Sequence, residues 1–268
     1  MSTDQHWEQW GARDPYFGVL THPKFRSSAL TNEAKDEFFA FGRNHVDHVL
    51  NTCRRYLDPA FAPQRVLDFG CGVGRLVLPF AQAAAEVVGV DVSPSMLAEA
   101  RRNCERLKLR NVQLVMSDDT LSAVTGQFDL VHTVIVIQHI DIARGLVLFE
   151  QLVKRVRPGG IAALHVTFGW HLHESTYGVP PNQVPSQRSA PADPQGIESR
   201  LSESGLGGEP KSERTGASDV DPEMQMNYYN LSQLMFIIQR SGCGMVHTEL
   251  TDHGGAIGAF MFFRRYPA

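Results

Sequence analysis

The chain has 268 residues and a mass of 29.8 kDa, with 43% hydrophobic and 20% charged residues, long enough to bury a core with no metal or disulfide staple. Its formal charge is −4 and its pI about 6.2. Basic residues fall as scattered pairs (Arg54–Arg55, Arg101–Arg102, Arg264–Arg265) among acids, which argues against the clustered positive surface of a nucleic-acid partner. Four cysteines (Cys53, Cys71, Cys104, Cys243) stand far apart, without a C-x-x-C pair or a histidine at zinc-finger spacing. No disulfide framework and no metal site are expected, and reduced thiols suit a cytoplasmic protein. The start, Met1 to Glu8, lacks the basic and apolar segments of a signal peptide, and no run approaches the ~20 apolar residues of a membrane span.

Residues 1–60 read as a helical, aromatic-rich arm. Val46, Val49, Leu50 and Cys53 repeat at i, i+3, i+4, i+7 and predict an amphipathic helix. Before it, Trp7, Trp10, Tyr16, Phe17 and Phe25 either staple the arm to the core or form part of a lid over a pocket.

From residue 61 the pattern changes. Short β-like runs at 65–69, 86–91, 112–116, 128–136 and 161–167 alternate with helical segments. Ser93-Pro94 between the second and third runs is a helix start, with serine as cap and proline in the first turn. This alternation predicts an α/β, doubly wound fold, a mostly parallel sheet with helices on both faces. Residues 174–222, rich in proline and glycine, are expected to be a flexible insertion. Order returns with Tyr228 and Tyr229, where Tyr229 either orients a substrate or packs. A helix through Leu234 and Ile238 follows, then two apolar runs, 245–250 and 259–263, joined by a turn at 251–255.

The densest information lies in Val66-Leu67-Asp68-Phe69-Gly70-Cys71-Gly72-Val73-Gly74. Glycines after a strand let a ligand approach the backbone, and the following helix offers free N–H groups. The G-x-G-x-G spacing departs from the dinucleotide pattern G-x-G-x-x-G, and Asp68 suits a ligand carrying an ammonium group. Asp91 ends the second strand, where a carboxylate commonly accepts the hydroxyls of a ribose.

These residues resemble motif I of the class I S-adenosylmethionine-dependent methyltransferases, and Val88 to Ser93 resembles their second motif. Met96-Leu97, Ser117-Asp118, Phe128 to Val131 with Ile137 to Ile140, and Arg157 to Gly160 resemble further motifs in the same order. The resemblance covers about 64–167 and implies a seven-stranded, Rossmann-like methyltransferase fold with an antiparallel last strand. It implies S-adenosyl-L-methionine as cofactor and a small-molecule methyl acceptor, with methyl transfer to O or N. A non-catalytic S-adenosylmethionine-binding regulatory module is the alternative.

Carried over residue by residue, the resemblance gives Gly70, Gly72 and Gly74 as the cradle, with Cys71 as a small spacer. Asp68 acts on the amino group or braces the loop, and Asp91 with its neighbour Val92 holds the ribose. Met96 packs on the adenine, and Asp118, beside Ser117, bonds its exocyclic amine. Asp119 replaces the small residue usual after that acid. Val134 stands where some N-methyltransferases have a polar side chain. The expected base or acceptor-orienting group is His139, with His165 and His253 as further candidates at the carboxyl ends of the strands.

Overall fold

The computed structural model describes residues 2–170 and 221–267. The expected insertion at 174–222 therefore lies outside the described residues except for Asp221 and Pro222. Three helices come first: α1 (Thr3–Arg13), α2 (Pro15–Val19) and α3 (Asn32–Tyr56). Ser2 caps α1 in a reciprocal capping box with Gln5, and Thr31 caps α3 by accepting from the Ala34 N–H. The remaining elements alternate: β1 (Arg65–Phe69), α4 (Val77–Ala83), β2 (Glu86–Asp91), α5 (Pro94–Arg106), β3 (Val112–Met116) and β4 (Phe128–Thr133). A 3₁₀ turn, Ile137–His139, precedes α6 (Ile142–Arg155), β5 (Val156–Trp170), α7 (Leu231–Arg240), β6 (Cys243–His253) and β7 (Ala256–Arg265).

The seven strands form one sheet in the order β3-β2-β1-β4-β5-β7-β6. All are parallel except β7, which runs antiparallel between β5 and β6. The strand order reverses beside β1, so the carboxyl ends of β1, β2 and β4 open onto one crevice, the usual ligand position in such sheets. One sheet face packs with α3, α4 and α5 in a core containing Phe38, Val46, Val66, Leu130 and Phe262. The other packs with α6 and α7 through Leu67, Val131, Phe149, Leu164 and Ile238. Trp10, Tyr16 and Phe25 of the amino-terminal arm are buried within the first of these cores.

Two boundaries differ from the sequence pattern. The fourth strand stops at Thr133 instead of running to 136, because Ile135 adopts φ 55°, a left-handed conformation that a β-branched residue takes up at a cost of about 1–3 kcal/mol. The chain turns there into the 3₁₀ segment. The fifth strand extends well beyond 161–167, since antiparallel β7 pairs with it from Ile161 to Trp170.

Tyr229 packs: its hydroxyl lies 2.7 Å from the Ile140 carbonyl and 3.0 Å from that of Ile137, tying the carboxyl-terminal segment to the turn after β4. Gly145 of α6 makes room for it, since a Cβ there would lie 1.8 Å from the Tyr229 oxygen. Gly145→Ala is expected to displace that hydroxyl and destabilise the fold by about 2–4 kcal/mol, read by urea denaturation. Among the described residues, no helix is long and apolar enough to cross a membrane.

Candidate active site

The loop after β1 is shaped by three glycines in the left-handed region, Gly70 (φ 73°), Gly72 (φ 51°) and Gly74 (φ 84°). The Gly70 and Cys71 N–H groups donate to the Val90 carbonyl at 2.7 and 2.9 Å, locking the loop to the end of β2. The Gly72 N–H donates to Asp91 Oδ2 at 2.8 Å, and the Ser93 N–H donates to Oδ1 at 2.9 Å. Each carboxylate oxygen thus has one backbone partner and room to accept another donor. Burial pushes the Asp91 carboxyl up to about 6, opposed by these backbone hydrogen bonds.

Ser93 caps α5 as its sequence predicts, accepting from the Met96 N–H at 3.0 Å. Met96 is buried beneath α2, with its Cε 3.1 Å from the position of a Cβ on Gly18. Val92 and Val134 are half-buried at the same strand ends, and the Ser117 N–H donates to the Asp91 carbonyl at 2.9 Å. Burial raises the Cys71 thiol well above its usual range, which keeps it protonated at neutral pH.

Asp118 and Asp119 are placed differently from the expectation of an adenine contact. The exposed Asp118 carboxylate accepts from Thr120 and Ser122, closing its own turn, and hydrogen bonds led by Ser122 depress its pKa. Asp119 pairs with Arg144 Nε at 2.5 Å, and Arg144 also grips Asp4 of α1 at 2.6 and 2.9 Å.

α1 lies across the crevice. Its Glu8 accepts from Ser93 Oγ at 2.7 Å, Ser95 Oγ at 2.6 Å and the Ser95 N–H at 3.1 Å, all at the amino terminus of α5. Gly11 allows the approach: a Cβ there would sit 2.4 Å from Ser93 Oγ. On the opposite side, Trp7 packs on His139 with ring centroids 5.0 Å apart, and Thr3 donates to Gln225 at 3.1 Å. Val19 of α2 presses on Gly72, where a Cβ would come within 2.7 Å of it. The aromatic arm therefore staples to the core and also covers the strand ends.

The histidines fall into two groups. His139 ends the 3₁₀ turn, with Nδ1–H donating to the Gln225 carbonyl at 2.7 Å, which leaves Nε2 as a bare acceptor. Burial lowers its pKa to about 4, with the Gln225 bond pulling the other way. His165, within β5, and His253, at the end of β6, lie together with rings 5.3 Å apart. His165 Nε2 is 2.9 Å from Thr251 Oγ1 across the intervening strand β7. Gly258 permits this, since its Cβ would lie 2.4 Å from both atoms. His165 Nδ1 and His253 Nε2 are buried without partners. Burial brings His165 down to about 3 and lowers His253, so both are neutral near pH 7.

A further set lies on the same sheet face and was not anticipated from the sequence. Asp68 Oδ1 accepts from His132 Nδ1–H at 2.8 Å, and His132 Nε2 meets His45 Nε2 of α3 at 3.0 Å. Asp68 and His132 are register partners on β1 and β4, so the pleat puts both side chains on one face. A histidine two positions inside a strand carries no signal of this without the register. Glu8, Gln225 and Thr251 were likewise illegible, being ordinary polar residues until the fold brings them to the rim.

Residues 66–160 match the family described as a methyltransferase domain. A 23S rRNA (uracil-C5)-methyltransferase of Alkalilimnicola ehrlichii is 44% identical over 73 residues, 25% of this chain and 16% of that protein. A ubiquinone biosynthesis O-methyltransferase of Ruegeria is 33% identical over 123 residues, 40% of this chain and 50% of that protein. The chain thus spans half or less of the length of these curated relatives. The crystal structure of magnesium protoporphyrin IX methyltransferase from Synechocystis superposes with a TM-score of 0.58 at 15% identity, covering 99% of this chain and 98% of that one. That likeness concerns the fold. Residues 66–160 thus match a methyltransferase domain, and the chain shares its Rossmann-like fold with a solved methyltransferase.

Proposed function

We propose that the chain is an S-adenosyl-L-methionine-dependent methyltransferase that methylates O or N of a small molecule. The observation that carries this reading is the buried Asp91 carboxylate, held by Gly72 and Ser93 with spare acceptor capacity on both oxygens, beside a glycine loop bare of side chains. Those residues fit an adenosyl group: Asp91 would hold the ribose hydroxyls, and Met96 with Val92 would line the adenine. When bound, the sulfonium cofactor supplies an already activated methyl group, so the protein's task is alignment and exclusion of water. α1 and α2 supply the cover through Glu8, Gly11 and Val19.

His139 is the proposed base or acceptor-orienting residue. Gln225 holds the tautomer with Nε2 unprotonated, able to accept a proton from a hydroxyl or amine. The neutral pair His165 and His253 would line the acceptor side. Asp118 would reach the adenine amine only by leaving its own turn. The mixed surface charge and the close cover over the crevice favour a compact acceptor over nucleic acid, and four free cysteines fit a reducing cytosol.

The reading is tested by incubating the full chain with donor labelled on the methyl group and a fractionated metabolite extract. A small-molecule fraction is expected to take up label and gain 14 Da (about one CH₂, as methyl transfer requires). Label in no fraction would overturn the enzymatic reading in favour of a binding module. With the acceptor in hand, His139→Ala is expected to lower kcat by about 10²–10⁴-fold. Because the wild-type imidazole protonates only around pH 4, kcat should stay level from pH 8 to 5.5 and fall below that. Full turnover in the alanine variant would remove His139 from the reaction.

A further inference from the structure

The sheet face under α3 carries a second polar group, two strands along from β1 and away from the glycine loop. β5, β7 and β6 lie side by side there, with Thr167, Gly258 and Thr251 aligned in register. His165, two residues before Thr167, reaches across Gly258 to place Nε2 2.9 Å from Thr251 Oγ1. His253, from the end of β6, sets its ring 5.3 Å from that of His165. Beside them Phe260 stacks on His45 of α3, centroids 5.6 Å apart, and gives the pair an apolar wall.

His165 is 1% exposed, yet its Nδ1 has no partner among the described residues, and the same holds for the buried Nε2 of His253. Unpaired buried nitrogens cost stability that apolar side chains of the same shape would not, and recognition of a bound molecule accounts for keeping two of them side by side. What they recognise follows from their state. Both imidazoles are neutral near pH 7, so each of these nitrogens is either an N–H donor or a bare acceptor. The Thr251 hydroxyl both donates and accepts, which lets His165 present either form at Nδ1. The neighbouring acids are committed elsewhere: Glu249 to His48 at 2.6 Å and to Thr52 at 3.3 Å, and Asp252 to the Gly255 N–H at 2.7 Å. A carboxylate would arrive here without a cation to meet it, and an ammonium without an anion, and a buried unpaired charge is costly. An uncharged hydroxyl, donor and acceptor in one group, suits both nitrogens.

We propose that His165 Nδ1 and His253 Nε2 together bind an uncharged hydroxyl of the methyl acceptor, set apart from the atom that is methylated. The inference rests on the methyltransferase reading above and adds to it a substrate class: an acceptor that bears a hydroxyl besides its reacting O or N. The pair determines specificity, while the reacting atom belongs to His139.

The test starts from the fraction of metabolite extract that takes up labelled methyl with the wild-type chain. Its labelled product is expected to carry a free hydroxyl, found by acetylation and mass spectrometry. The acceptor is then compared with its analogue in which that hydroxyl is replaced by hydrogen. Wild type should use the deoxy analogue with kcat/KM about 10-fold lower, mostly through KM, the size of a hydrogen bond lost with its buried partners left unpaired. In His253→Phe the two substrates should fall within about threefold of each other. The melting temperature of that variant should hold or rise, because an unpaired buried nitrogen has gone. His165→Gln, whose amide again offers a donor and an acceptor, should keep part of the preference where His165→Phe keeps none. A product without a free hydroxyl, a wild type indifferent to the deoxy change, or a His253→Phe variant that keeps the full preference overturns the assignment and leaves the methyltransferase reading standing. A lowered melting temperature in His253→Phe counts against it as well, since the nitrogen would then serve the fold. Label in no fraction overturns the methyltransferase reading, and this assignment with it.

Discussion

Asp91→Ala is expected to weaken binding of S-adenosylhomocysteine by about 10²–10⁴-fold while leaving a folded protein. The magnitude follows from removing a carboxylate that would accept two ribose hydroxyls, each charge-assisted bond being worth about 1.5–3 kcal/mol. The same substitution strips the Gly72 and Ser93 N–H groups of their acceptors, so the loop loosens as well as losing its contact. Calorimetry gives the affinity, and a retained thermal transition shows that the fold survives. The pH dependence of the wild type supplies an internal check. Burial places the Asp91 carboxyl near 6, so lowering the pH from 7 to 5 protonates it, turns one oxygen into a donor and weakens binding. In Asp91→Ala this pH dependence should disappear. Unchanged affinity in the variant would remove Asp91 from the binding site.

The second large effect is expected at Gly70. Its φ of 73° lies where an added Cβ is strained by about 1–2 kcal/mol. A Cβ there would also stand 2.3 and 2.5 Å from the two Val136 methyl carbons, an overlap costing a further 1–3 kcal/mol, roughly. Gly70→Ala should therefore lower stability by about 2–5 kcal/mol and abolish ligand binding, because Val136 belongs to the already strained turn around Ile135. Val136→Ala in the Gly70→Ala background should recover the steric part and leave the backbone part. Urea denaturation of the two single variants and the double variant gives the coupling. Simple additivity would mean that the loop after β1 and the turn after β4 do not press on each other.

The parallel sheet was readable because its strands are short apolar runs separated by capped helices, and Ser93-Pro94 marks a helix start by local chemistry alone. Asp91 and the three glycines were equally readable, since backbone conformation and strand end both leave marks in the sequence. The rest depends on register and long-range packing. Asp68 meets His132 only because β1 and β4 are neighbours in register, and His165 reaches Thr251 only because Gly258 lies between them. Asp118 shows the reverse: the motif suggested a ligand contact, while the following Thr120 and Ser122 offer nearer donors that draw the carboxylate into its own turn. The arm's double role, staple and cover, emerges from Glu8 and Gly11 meeting α5, which no local pattern announces.

The central claim is that the crevice between β1, β2 and α1 holds an adenosyl amino acid. Isothermal titration of S-adenosylhomocysteine into the full chain at pH 7.5 tests it most directly. The account predicts saturable heat with about one ligand per chain and a raised melting temperature, as ligand linkage requires. Absence of heat and of any thermal shift at millimolar ligand would contradict it.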